Sequence, residues 1–117
     1  MAAPNIVGVT TITGKTAVLV VTTSATAIVE NTAASGKVFK VNALYVSNID
    51  GTNAADVTVD IFRSSTAYRV ASTISVPADA TLDVISKSIY LEEGDALRLT
   101  ASANSDLEAV CSYEEIS

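Results

Sequence analysis

No stretch of this chain keeps the three-to-four-residue apolar spacing of an amphipathic helix. What recurs instead is a turn signal about every ten residues, with short period-two segments between the signals. Gly14-Lys15, Ser64-Ser65-Thr66, Pro77-Ala78-Asp79, Glu92-Glu93-Gly94-Asp95 and Asn104-Ser105-Asp106 are such signals. A chain punctuated this closely has no room for helices that could bury a stripe, but ample room for strands. The expected fold class is all-β: a single-domain antiparallel β-sandwich over residues 1–117, jelly-roll-like, of about eight strands, led by a short N-terminal arm at about 1–5.

The pattern is densest from Gly36 to Arg63. Val38–Asn48 and Val57–Arg63 read as long strands, and Asp50-Gly51-Thr52-Asn53 between them has strong turn chemistry. The expectation is a hairpin at the middle of the sheet structure. Val57, Val59 and Ile61 alternate onto one face, as Leu97, Leu99 and Ala101 do later, so Val59, Ile61, Leu97 and Leu99 are expected in the core. Thr16–Thr23 has a nearly continuous apolar centre, which predicts a strand buried on both faces, with Gly14-Lys15 as the turn before it. Further strands are expected at Ala25–Asn31, Ala67–Val70 with Ser72–Val76 (two short strands or one bent one), Thr81–Ile85, Ile89–Leu91, Ala96–Ser102 and Leu107–Glu115. Gly94 sits where a tight acidic turn needs positive φ.

Hydrophobic residues make up 49% of the chain but aromatics only 5%, so the core should be thin and built of Val, Ile and Leu. Charged residues are scarce at 17%, and threonine and serine fill the polar positions. Low charge on a strand-rich surface leaves edges open to other chains, a hazard relieved if that surface is buried in an assembly. Net charge is −6 and only Lys37 and Lys40 are closely spaced bases, which argues against nucleic acid as a partner. No apolar run is long enough to cross a membrane, and the first residues lack the basic and apolar regions of a signal peptide, so synthesis inside the cell is expected.

The side chains that usually carry chemistry are few. Histidine and tryptophan are absent, which removes Ser-His-Asp and Cys-His catalysis and Cys/His zinc sites. Gly8, Gly14, Gly36, Gly51 and Gly94 are isolated and form no phosphate-binding loop. The single Cys111 stands in an alternating apolar strand and reads as an inert buried thiol. Two oxygen-rich sets remain as candidate calcium ligands: Glu92, Glu93 and Asp95, and Asp50, Asn53 and Asp56. A solvated acidic turn and a structural turn, respectively, explain them as well, and the second set lacks EF-hand spacing. Tyr45, Tyr68, Tyr90 and Tyr113 are candidate interface anchors or core caps. No catalytic, cofactor-binding or metal residue is expected, and Met1, Pro4, Ile6 and Val7 are the candidate interface, because an extended arm can lie on a neighbouring subunit.

Several segments together carry a family resemblance: APNIVGVTTITGKT at the start, SGKVFKVNALYVSNIDGTNAADVTV at the centre, then ISVPADATL, IYLEEGDALRL and the SYEEIS ending. The chain resembles small virion structural proteins of tailed bacteriophages, of the kind found in marine myophages of cyanobacteria. The resemblance spans nearly the whole chain. It implies a non-enzymatic particle component located in the virion, with the major capsid protein or neck and tail proteins as partners and with self-association. Two placements follow: a capsid decoration (cement) protein bracing the shell, or a neck, tail or baseplate subunit. A carbohydrate-binding module on a fibre is a third reading, disfavoured by the missing tryptophan.

Overall fold

The computed structural model describes Asn5 and residues 7–117, and the secondary structure within them is entirely strand. The strands are β1 (Ile12–Val21), β2 (Thr26–Glu30), β3 (Val38–Asn48), β4 (Ala55–Arg63), β5 (Thr66–Val76), β6 (Thr81–Asp83), β7 (Ile89–Leu91), β8 (Ala96–Ala101) and β9 (Leu107–Ile116). One sheet runs β1-β9-β3-β6, with β7 also on β3, and the other runs β2-β8-β4-β5. Every pairing is antiparallel.

β6 pairs with Tyr45–Ser47 and β7 with Phe39–Val41, so the two short strands share one edge of β3. They occupy a single strand position interrupted by residues 84–88. Nine strands thus fill eight places, and the chain alternates between the sheets in the manner of a jelly roll. The all-β sandwich read from the sequence is the fold observed.

The core lies between the sheets. Leu44 and Val46 of β3 and Leu107, Ala109 and Cys111 of β9 face Val57 and Val59 of β4 and Leu97 and Leu99 of β8. The largest fully buried side chains are leucines and valines, with Phe39 the one aromatic in the buried cluster. Each such leucine or valine contributes about 1.5–3 kcal/mol of transfer free energy. Ile61 is only half-buried, because at its end of β4 it stands beside Tyr68 and Arg63 at an open margin of the sandwich.

Four expectations are corrected. Val38–Asn48 and Ala55–Arg63 are indeed strands, but they do not form a hairpin: β3 pairs with β9, β6 and β7, and β4 with β8 and β5. The turn chemistry between them is real. Asp50 Oδ1 accepts hydrogen bonds from the Thr52 and Asn53 amides, at 2.8 and 3.3 Å. Buried Asn48 donates to the carbonyls of Asn53 and Val76, each at 2.9 Å, and so pins this corner to the end of β5. A turn reverses the chain locally without choosing the hydrogen-bonding partner, and here the chain passes from one sheet to the other. The true hairpin is β4–β5, closed by Ser64 and Ser65 with φ of 51° and 60°, the doubly left-handed geometry that matches strand twist.

Gly14-Lys15 is not a turn, since β1 runs straight through it in unbroken register with β9. Nor is β1 buried on both faces. It is the edge strand of its sheet, and Val18 and Val20 point outward at 75% and 53% exposure. An apolar run signals a buried strand only where another layer covers it, and nothing among the described residues lies over this face. The expected strand Thr81–Ile85 is shorter, ending at Asp83.

Candidate interaction surface

The acidic turn is a structural joint. Gly94 takes φ of 89° and lets the chain double back between β7 and β8. Asp95, only 1% exposed, accepts from Arg63 Nε at 2.7 Å and Nη2 at 2.6 Å, and from the Glu92 amide at 2.8 Å. Burial pushes its carboxyl upward, but the Arg63 hydrogen bonds, the Glu92 amide and the guanidinium charge together hold it below its usual value. Glu92 also reaches Arg63, at 2.8 Å, and Glu93 accepts from the Gly36 amide at 2.8 Å. The three carboxylates therefore diverge onto an arginine and a backbone amide instead of converging on one point. Asp95 departs from the solvated turn expected of it. Among the described residues, no group of three or more His, Cys, Asp or Glu is placed to hold a metal ion.

Beside this joint, Asn31 is fully buried. Its amide donates to the carbonyls of Lys37 and Leu91 at 2.9 and 3.0 Å, and its Oδ1 accepts from the Ser35 hydroxyl at 2.6 Å. The other candidate set separates: Asp50 and Asn53 make the turn between β3 and β4, and the Asp56 amide bonds the Ser102 hydroxyl. On the outer face of the second sheet, buried Asp60 accepts from Arg98 Nε at 2.9 Å, while the Arg98 guanidinium lies 3.9 Å from the Phe62 ring centroid. Sequence reasoning did not single out this cluster. Asp60 follows Val59 in an alternating strand and gave no sign of lying opposite Arg98.

Cys111 is fully buried in the core, and its thiol is pushed up to about 11 by desolvation. Tyr113 packs 5.6 Å from Phe39 and belongs to the core margin, whereas Tyr45, Tyr68 and Tyr90 are exposed on three different strands. Val7 is 92% exposed, while Met1, Pro4 and Ile6 lie outside the described residues.

What remains open is apolar surface at the edges. Cross-strand pairing sets Val18 beside Val110, and Val110 beside Tyr45, in one row over β1, β9 and β3. Val20 follows beside Glu108 in the next row. Val18, Val20, Glu108 and Val110 line a shallow, open depression on this face. At the opposite corner of the sandwich, β5 exposes Tyr68, Val70 and Ile74. Six of the eleven exposed large hydrophobics among the described residues thus stand on the two long edge strands.

No protein-family model matches the chain, and no curated protein matches it. Solved structures do match. One is a protein of Bacillus endospore appendages, described as a novel family of disulfide-linked pili; it is 17% identical, with a TM-score of 0.52 over 90% of this chain and 87% of that one. At that identity the likeness concerns the fold: the same sandwich arrangement recurs across nearly the full length of both chains.

Proposed function

We propose that this chain is a non-enzymatic structural subunit of a multi-subunit assembly, and within that class a component of a tailed-phage virion that decorates the capsid and braces the shell. The observation that carries the reading is the concentration of exposed apolar side chains on β1 and β5. A protein working alone gains nothing from apolar residues on unpaired edges, which invite association. In an assembly those edges are covered by neighbours. The carboxylates of the acidic turn serve the joint with Arg63 and Gly36, and the one thiol is buried, which also supports a scaffold role. The phage placement rests on the sequence resemblance, with a neck, tail or baseplate subunit as its alternative.

A second reading, a fibre subunit, is favoured by the likeness to the spore-appendage protein. Any covalent linkage of that kind would need a cysteine other than Cys111, which is fully buried.

Stoichiometry in purified particles tests the proposal. Copies in proportion to the major capsid protein indicate the shell; one ring's worth indicates neck or tail; recovery in filaments free of capsid protein indicates the fibre. Absence from every assembled fraction overturns the reading. Deletion of Met1–Asn5 is expected to weaken incorporation while leaving the sandwich folded.

A further inference from the structure

We propose that residues 84–88 are a built-in stop on the β6/β7 edge of the first sheet, a detour that keeps another chain from adding a strand there. The stop acts whether or not the chain is an assembling subunit. Spacing along the two strands sets it. Leu82 pairs with Val46, and Ile89 pairs with Val41. Leu82 and Ile89 lie seven positions apart in the chain, but Val46 and Val41 only five. All four side chains pack into the core between the sheets, so burial fixes the pairing at both ends. Two residues of the edge are therefore in excess and must leave the sheet. β3 has its own break beside them, a register shift against β9 between Val41 and Ala43.

The detour is anchored on both sides. Val84 still donates to the Leu44 carbonyl at 2.9 Å, and its side chain packs against the core. Ile85, the next residue, also sits in the core and is only 6% exposed. Successive side chains on a strand point to opposite faces, so two inward neighbours mean that the pleat ends here. Ser86, Lys87 and Ser88 then run exposed. The Ser88 hydroxyl ties their far end back to β3 by donating to Asn42 Oδ1 at 3.2 Å. An incoming strand would meet two pieces of three residues each, each about 10 Å long. Asp83 and Lys87 place exposed charges at the gap between the pieces. Short, interrupted and charged edges are poor templates for strand addition.

Removing the excess tests the stop. In the full chain, deletion of Ser86 and Lys87 leaves Leu82 and Ile89 five positions apart, matching Val46 and Val41, and joins β6 to β7 in one edge of nine residues. The deletion is combined with Ile85→Thr, so that straightening the strand turns no large apolar side chain outward. The expected result is an unchanged circular-dichroism spectrum and a light-scattering mass above that of the wild type at the same concentration. Ile85→Thr alone, with the loop kept, should leave the mass at the wild-type value. A folded deletion variant no heavier than the wild type overturns the proposal, and so does an equal gain in mass from Ile85→Thr alone. Should the deletion variant fail to fold, cysteine cross-linking with the loop intact decides. Under mild oxidation, Asp83→Cys should link chains no faster than Thr52→Cys in the exposed turn before β4, with Cys111 buried in both. Faster linking through Asp83→Cys means that this edge does pair, and the stop is refuted.

Discussion

Arg63, at the end of β4, grips Asp95 in the turn between β7 and β8 through two hydrogen bonds, Nε to Oδ1 at 2.7 Å and Nη2 to Oδ2 at 2.6 Å. The guanidinium is half exposed, but the carboxylate is almost fully buried. The pair fastens the turn, and with it the junction of the two sheets, to the last residue of a central strand. Replacing Arg63 with methionine leaves a buried carboxylate short of its main partner, and the expected loss is about 1–3 kcal/mol by urea denaturation. A loss within error would mean that the turn is held without the pair.

This joint and the Glu115 pair on β9 together set an acid response. Asp95 and Glu115 both titrate below their ordinary values: Asp95 because the Arg63 and Glu92 hydrogen bonds outweigh burial, Glu115 because Lys37 and Lys15 donate to it. A carboxylate depressed in the folded state stabilises the fold above its unfolded pKa, and that contribution is lost as pH falls through the folded value. Stability should therefore be level near neutrality and decline below pH about 4. The decline should be shallower in Arg63→Met than in the wild type, as read from melting temperatures across the acid range.

Leu97 is fully buried between the sheets. Leu97→Ala is expected to cost about 2–5 kcal/mol, from lost transfer energy and the cavity left behind. A cost below about 1 kcal/mol would place the side chain off the core.

Asn31 makes three side-chain hydrogen bonds in a fully buried position. Asn31→Ala strands the carbonyls of Lys37 and Leu91, with an expected cost of about 1–3 kcal/mol. Hydrogen exchange should quicken first at the Gly94 amide, which donates to the Asn31 carbonyl at 2.7 Å.

Cys111 should be silent. Its thiol is buried and pushed up to about 11, so little thiolate forms near neutrality. A thiol reagent such as Ellman's should fail to label the native chain at pH about 8, below the usual thiol range, and label it fully in denaturant. Labelling at the same rate in both states would contradict the placement of β9.

The sequence by itself determined most of the strands and, where apolar and polar residues alternate, their faces. Period-two alternation marked Val59, Leu97 and Leu99 as buried, because side chains on a strand must point alternately to opposite sides. Ile89–Leu91 and Val38–Asn48 were legible to the residue, and Gly94 announced its left-handed turn because few other residues tolerate one. Partners were another matter. Pairing in a jelly roll joins residues far apart in the chain, such as Val38 with Ile116, and local turn chemistry at Asp50-Gly51 carries no information about which strand lies alongside. Only the tertiary structure put β3 and β4 in different sheets, brought Arg63 to Asp95 and Asp60 to Arg98, and turned the Glu92–Asp95 cluster into a joint. It also turned one face of the most apolar run of the chain outward: Ala17, Leu19 and Val21 pack on the core, but whether Val18 and Val20 are core or surface depends on a covering layer, and that is a property of the whole fold.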